Sequence, residues 1–364
     1  MKNTFGNNVS VTVFGESHGA AIGAVIDGLP AGIAVDMEYI NAKLALRRPS
    51  GSISTSRVES DEVKILSGVF MERTTGTAIA LVIENNNTHS KDYSDIKTVA
   101  RPGHADYTAQ CKYRGYQDYR GGGHFSGRVT AAVVAAGAII QMALEAKGIK
   151  IGSHIKRIGK IEDRDFDDIE KDIDKVNTKV FAALDSETED RMIAEITAAK
   201  VDGDSVGGII ETAVVGVPAG VGEPFFDSLE SLISHAVFSV PAVKGIEFGM
   251  GFAVADKRGS EVNDSFVTDG EKIYTKTNNN GGINGGISNG MPIVFRCAVK
   301  PTPTIFKKQK TVDFEKMENT EIVPHGRHDP CIVHRARAVI DSVTAFAVCD
   351  LLSVKYGIDW LGEK

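Results

Sequence analysis

The 364-residue sequence predicts an α+β fold in which antiparallel sheets pack against long buried helices. Strand-like stretches return through tight turns containing Gly and Pro instead of alternating regularly with helices, which argues against βαβ winding. Two long segments rich in small and β-branched residues each close one half of the chain as helices. A motif also recurs half a chain away: residues 15–32, GESHGAAIGAVIDGLPAG, align without a gap with residues 203–220, GDSVGGIIETAVVGVPAG, and eight of eighteen positions are identical. The offset of 188 is too long for a solenoid. The reading is one compact domain built from two repeats, approximately 1–160 and 176–364.

In chain order, strands are expected over 9–14, 21–27 and 78–84. Ser126 caps a helix over about 127–147 that stops at Gly148. The run 162–174 alternates charges with Phe166, Ile169 and Ile173 and reads as a solvated amphipathic excursion. Strands follow over 209–217 and 292–299. Asp329-Pro330 offers a cap with proline at the first helical position before a helix over about 335–355 that ends at Gly357. The two helices superpose at an offset of 209, with Arg128 opposite Arg337.

A hydrophobic content of 42% and a charged content of 24% suit a chain that buries a large core and exclude a disordered or fibrous one. The net charge of −7 is unevenly spread: residues 1–161 carry 19 basic and 14 acidic side chains, residues 176–364 carry 19 and 26. Within 97–128 six cations (Lys97, Arg101, Lys112, Arg114, Arg120, Arg128) face two anions, Asp106 and Asp118. With a pI near 5.8 this concentration fits a pocket for a small anion better than the broad basic face of a nucleic-acid binder. Cys111, Cys297, Cys331 and Cys349 form no CxxC pair and read as buried residues of a reducing cytoplasm. No secretory h-region opens the sequence, and the apolar run 129–146 reads as a buried helix rather than a membrane span.

Neither GxxxxGK[ST] nor a strand-linked GxGxxG is present. In their place Tyr119-Arg-Gly-Gly-Gly-His-Phe-Ser-Gly-Arg128 runs into the first long helix, where backbone N–H groups and two guanidiniums suit an anion. A structural Gly-rich turn is the other reading. His18 has Val206 as its counterpart in the repeat, so the fold does not require an imidazole there; it is a proton carrier or a satisfied core histidine. In Arg101-Pro-Gly-His-Ala-Asp106 the Asp106 carboxylate either partners His104 or shapes the turn. Gly326-Arg-His-Asp-Pro-Cys331 supplies no third metal ligand, so no metal is expected. Asn278–Gly290 and Lys300-Pro-Thr-Pro-Thr304 complete a set of anion-attracting loops.

Together GESHG (15–19), ILSGVF (65–70), RPGHADYT (101–108), YRGGG with SGR (119–128), VPAGVGEP (217–224), PAVKGIEFG (241–249), GGINGGISNGMPI (281–293), KPTPTI (300–305) and GRHDPC (326–331) resemble the chorismate synthase family. The resemblance covers nearly the whole chain. It implies a sandwich of helices between antiparallel sheets with an internal pseudo-repeat, and a homotetramer. It implies 1,4-anti elimination of phosphate from 5-enolpyruvylshikimate 3-phosphate to give chorismate, with reduced FMN and no net redox change. Carried over, His18 sits beside the flavin and His104 protonates the departing phosphate, with Ser17, Ser126 and Asp329 in a proton relay. Arg47, Arg48, Arg128 and Arg335 are the substrate's cations. FMN falls on His124, Phe125, Ser126, Pro241, Ala242, Gly285, Lys300, Pro301, Thr302, Pro303, Thr304 and Arg327.

Three positions depart from the family pattern: His124-Phe125-Ser126 stands where Arg-Ser-Ser is common, Ile53 where an arginine is often found, and Asp341 where glutamate is common. Reduction of the flavin by an external flavin reductase is expected from the absence of long insertions. A non-catalytic FMN or phosphometabolite binder is disfavoured because His18, His104 and Asp329 are all present. An RNA-binding module using 97–128 would stack bases on Tyr107, Tyr113, Tyr116 and Tyr119, and the acidic remainder disfavours it.

Overall fold

The computed structural model describes residues 2–49, 51, 53–54, 61–86, 97–324 and 328–362. The first half contains β1 (Thr4–Phe5), β2 (Ser10–Gly15), β3 (Ala21–Asp27), β4 (Ala31–Ala34), α1 (Met37–Arg47), β5 (Val63–Ile65), β6 (Val69–Phe70), β7 (Arg73–Thr75), β8 (Ile79–Glu84), α2 (Asp106–Tyr113) and α3 (Thr130–Glu145). Strands β1-β2-β3-β8-β5 form one sheet in that order, antiparallel throughout. Ile22, Ala24 and Ile26 of β3 pair with Ile83, Leu81 and Ile79 of β8. All six are buried, because a period of two puts every second side chain on the face that α3 covers. Burying each such Ile or Leu contributes about 1.5–3 kcal/mol.

The second half contains β9 (Lys150–Ile158), β10 (Ile161–Glu162), α4 (Ile169–Asn177), α5 (Ser186–Val201), β11 (Gly208–Val215), α6 (Leu229–Phe238), β12 (Val243–Phe248), α7 (Gly259–Val262), β13 (Phe266–Thr268), β14 (Ile273–Thr275), β15 (Ile283–Asn284), β16 (Ile287–Ser288), β17 (Ile293–Val299), β18 (Gln309–Asp313), β19 (Glu318–Ile322) and α8 (Val333–Tyr356). Here β10-β9-β11-β17-β12 form a second antiparallel sheet. Helix α3 packs on β3 and β8, α8 packs on β9 and β11, and the two helices pack on each other. They approach tightly at Gly137, where a Cβ would lie 2.2 Å from that of Ser342. One apolar core runs from Ile22 and Leu81 through Ile139 and Val348 to Ile210 and Phe295, so it joins both sheets. The antiparallel α+β expectation is met, and all five expected strands are present.

Four local expectations need correction. The segment Gly127–Val129 is a 3-10 turn, and α3 proper begins at Thr130. Helix α8 starts at Val333, so Pro330 is not its first residue, and Asp329 gives its carboxylate to Arg335 instead of a cap. The acidic stretch is not merely a solvated excursion: Asp163 and Asp172 are buried, and Arg164 grips Asp172 with two bonds of 2.7 and 2.6 Å. Cys111 is exposed while the other three cysteines are buried. The apolar stretch Gly127–Glu145 is long enough to cross a membrane by composition, yet 72% of it is buried within the protein.

Candidate active site

Segments distant in sequence meet where β2 ends, α1 ends and α3 and α8 begin. The turn after β2 carries Ser17 and His18. Ser17 donates its backbone N–H to Gly123 O at 3.1 Å, and the His124 ring meets Gly15 O at 2.8 Å, so the triple-glycine loop is bound to this turn. Gly121, Gly122 and Gly123 all have left-handed φ, of 59°, 84° and 53°. A Cβ on Gly121 would lie 2.2 Å from His18 Cε1 and 2.8 Å from Ser17 Oγ; one on Gly122 would lie 3.3 Å from His104 Cε1. The glycines are therefore required by the close approach of two imidazoles to adjacent residues as well as by their backbone conformation. The 3-10 turn that follows is capped by Ser126, whose hydroxyl accepts from Arg128 N at 3.3 Å.

His104 sits two residues before α2, and Asp106 meets both readings left open by the sequence, since its Oδ2 also accepts from the Arg101 backbone N–H at 2.9 Å. The His104 Nδ1 lies 3.0 Å from Asp106 Oδ1 and 3.0 Å from Arg101 Nη2. Arg101 also donates to Asp106 through Nε and Nη2, each at 2.8 Å. Burial raises the Asp106 pKa, but the hydrogen bonds from Arg101 and His104 outweigh it and hold the carboxyl well below its usual range. An ionised Asp106 accepts from Nδ1–H, which leaves Nε2 as the nitrogen able to exchange a proton elsewhere.

The four arginines converge on one side of this loop. Arg47 donates to Asp61 Oδ2 at 2.9 Å, to Thr130 Oγ1 at 3.0 Å and to Gly127 O at 3.2 Å, and is 3% exposed. Arg48 Nε stands 3.7 Å from the same Asp61 oxygen. Arg128 donates to Asp61 Oδ1 and, at 3.0 Å, to Asn85 Oδ1. Arg335 bonds Arg47 O at 2.7 Å and Asp329 Oδ2 at 2.5 Å. Asn85 donates in turn to Glu16 O and Gly19 O, coupling Arg128 to the His18 turn.

On the other side, Lys300 Nζ donates to Gly103 O at 2.5 Å and Lys300 N to Ala242 O at 2.9 Å, which brings the 241–242 and 300–304 segments to the His104 loop. Pro303 packs against Gly103, Pro301 against Gly207, and Thr304 is buried. Ala242 holds φ at 75°, a conformation that costs a non-glycine residue about 1–3 kcal/mol and marks functional sites. Phe125 is half-exposed, edge-on to Tyr113. Gly285 is the outlier: contacts of the described residues tie its turn to Gly222 and Leu229 rather than to the histidine loops. Arg327 lies outside the described residues. Sequence reasoning did not single out Asp61 or Asn85; each sits just outside a motif that it did.

No group of three or more His, Cys, Asp or Glu suited to a metal occurs among the described residues. What the arrangement can do is bind a multiply charged anion on three or four guanidiniums and move protons on two imidazoles about a glycine pair.

The family model for chorismate synthase matches residues 9–353. Chorismate synthase of Pyrococcus abyssi is 49% identical over 347 residues, covering 95% of this chain and 96% of the relative. That of Methanobrevibacter smithii is 49% identical over 353 residues, covering 96% of each. A crystal structure of chorismate synthase superposes with a TM-score of 0.76 at 31% identity, covering 97% of this chain and 94% of that one. Since these matches take in both sheets and every segment of the cleft, the chain belongs to the chorismate synthase family.

Proposed function

We propose that the protein eliminates phosphate from 5-enolpyruvylshikimate 3-phosphate in a 1,4-anti sense to form chorismate, a carbon–oxygen lyase step of the shikimate pathway that uses reduced FMN. The observation that carries this reading is the convergence of His18 and His104 on the adjacent glycines 121 and 122, with the arginine cluster bound to the same turn through Asn85. The substrate brings two carboxylates and a phosphate. Arg48, Arg128 and Arg335, with Arg47 behind them, supply fork-shaped donors for such groups.

His104 gives the proton on Nε2 to the departing phosphate, which lowers the cost of breaking the allylic C–O bond, while Asp106 keeps Nδ1–H in place. His18 holds its proton on the flavin side, and Ser17, Ser126 and Asp329 relay protons around it. The FMN site would be formed by His124, Phe125, Ser126, Pro241, Ala242, Gly285, Lys300–Thr304 and Arg327. The 300–304 and 241–242 segments fit such a group: Thr302 Oγ1 is buried without a hydrogen-bond partner among the described residues, and Lys300 joins the two segments by donating its backbone N–H to Ala242 O. When bound there, reduced FMN would supply electron density for C–O cleavage with no net redox change.

The architecture reads as helices sandwiched between antiparallel sheets in one domain of two repeats, about 1–160 and 176–364. In support, Gly28 and Gly216 share φ near 86° and 83°, Gly32 and Gly220 share 95° and 91°, and β3 matches β11 at the same offset. The assembly is a homotetramer in the cytoplasm, supplied with reduced flavin by an external reductase. In support of assembly, Phe225, Phe226 and Phe252 are 86%, 91% and 84% exposed.

The test is phosphate release from 5-enolpyruvylshikimate 3-phosphate under anaerobic conditions with chemically reduced FMN, repeated with oxidised FMN and NADPH. Turnover is expected in the first case only. Inactivity of folded protein in both would reject the function, and turnover with NADPH would reject the external reductase.

A further inference from the structure

We infer that Asp61 is the positioning residue that sets the arginine cluster in its binding geometry before substrate arrives. The inference rests on the assignment of Arg48 and Arg128 as substrate cations. Asp61 is 0% exposed, and its two oxygens divide the work. Oδ1 accepts from Arg128, while Oδ2 accepts from Arg47 Nη1 at 2.9 Å and faces Arg48 Nε at 3.7 Å. Arg47 and Arg48 end α1, whereas Arg128 lies in the turn leading into α3. One carboxylate therefore joins two elements 80 residues apart in sequence, which Arg47 also bridges by donating to Gly127 O. The Asp61 backbone holds φ at 45°, a left-handed conformation that a non-glycine residue keeps where its surroundings over-determine it.

The electrostatics explain why a carboxylate is needed. Guanidiniums collected for a polyanion repel one another until the polyanion is present. Buried Asp61 relieves part of that repulsion among Arg47, Arg48 and Arg128, as Asp329 does at Arg335. Because Asp61 is wholly covered, it acts from behind the arginines and takes no place in the cleft. Arg48, 30% exposed on its side chain, and Arg128, 11% exposed, keep surface for a ligand. Asp61 thus preorganises the donors, so that less conformational freedom is lost on binding.

Two variants test this against wild type in the anaerobic assay. Asp61→Glu keeps the buried charge but displaces it by one methylene; KM for the substrate is expected to rise about tenfold while kcat falls by less, the pattern of lost uniform binding. Asp61→Asn removes the charge and raises KM further, so that the glutamate variant is the partial rescue of the two. A merely structural role would lower the active fraction, hence apparent kcat, and leave KM unmoved. Unchanged KM in both variants overturns the inference whatever happens to thermal stability. If neither variant folds, a crystal structure of the wild-type protein with and without inorganic phosphate decides. The carboxylate is expected between Arg47 and Arg128 in both, and its separation from either arginine in the phosphate-free crystal overturns the inference. An inactive wild type would count against the proposed function alone, because the crystallographic comparison judges Asp61 independently of turnover.

Discussion

At His104 the imidazole is held by two charges of opposite sign, the Asp106 carboxylate and the Arg101 guanidinium, both at 3.0 Å from Nδ1. The Nδ1–H stays on Asp106 while Nε2 exchanges its proton, so the ring keeps one orientation through a proton-transfer cycle. Substitution His104→Ala should lower phosphate release by about 10²-fold or more, the scale of lost general-acid catalysis. Asp106→Asn should lower it by less, because a neutral amide accepts more weakly from Nδ1–H and holds the ring less firmly. Wild-type phosphate release by Asp106→Asn would remove Asp106 from the mechanism. The sequence brought His104, Asp106 and Arg101 within five positions of each other but left the role of Asp106 open. That role depends on a side-chain rotation that only the folded loop selects.

Among the elements, the triple-glycine loop was legible as a site, read as an anion site or a structural turn. Its glycines also make room for His18 and His104, which the sequence did not show. Gly121→Ala should destabilise the protein by about 1–3 kcal/mol through overpacking and depress activity further by pushing the His18 ring aside. An active, equally stable variant, measured by thermal melting and turnover, would contradict that account. Strand β9 went unrecognised because its buried faces carry Ser153, His154 and Lys156, which disguise a strand covered by α4 on one side and α8 on the other. His154 lies 2.9 Å from Glu211 and 3.5 Å from Asp163. Burial lowers its pKa, but its hydrogen bond to Glu211 and the negative charges of Glu211 and Asp163 prevail and raise it above the ordinary histidine value. A raised value means the protonated ring stabilises the fold, fully so below the unfolded pKa and progressively less as pH rises through the folded one. The melting temperature should therefore fall from pH 6 towards pH 9, and His154→Gln should flatten that dependence. A wild-type curve that is level across this range would show that the buried imidazole is not charged.

On the scale of the whole molecule, the net charge of −7 conceals a first half with excess positive charge, and it is there that α1, the His104 loop and the triple-glycine loop converge. The eighteen residues that align between the two halves carry left-handed glycines at matching turns, Gly28 with Gly32 and Gly216 with Gly220, which supports the proposed two repeats. The strands and the two long helices were visible, since burial of one face imposes a period on the sequence that needs no knowledge of the partner surface. The sequence by itself thus determined the α+β class and the principal elements, and it singled out His18 and His104 as candidates. Tertiary structure alone decided that Asp61 and Asn85 belong to the site and that Asp163 is buried against His154. Those facts depend on which side chains from distant segments share one low-dielectric volume, and a polar residue carries no local periodic signal of the charge it will meet.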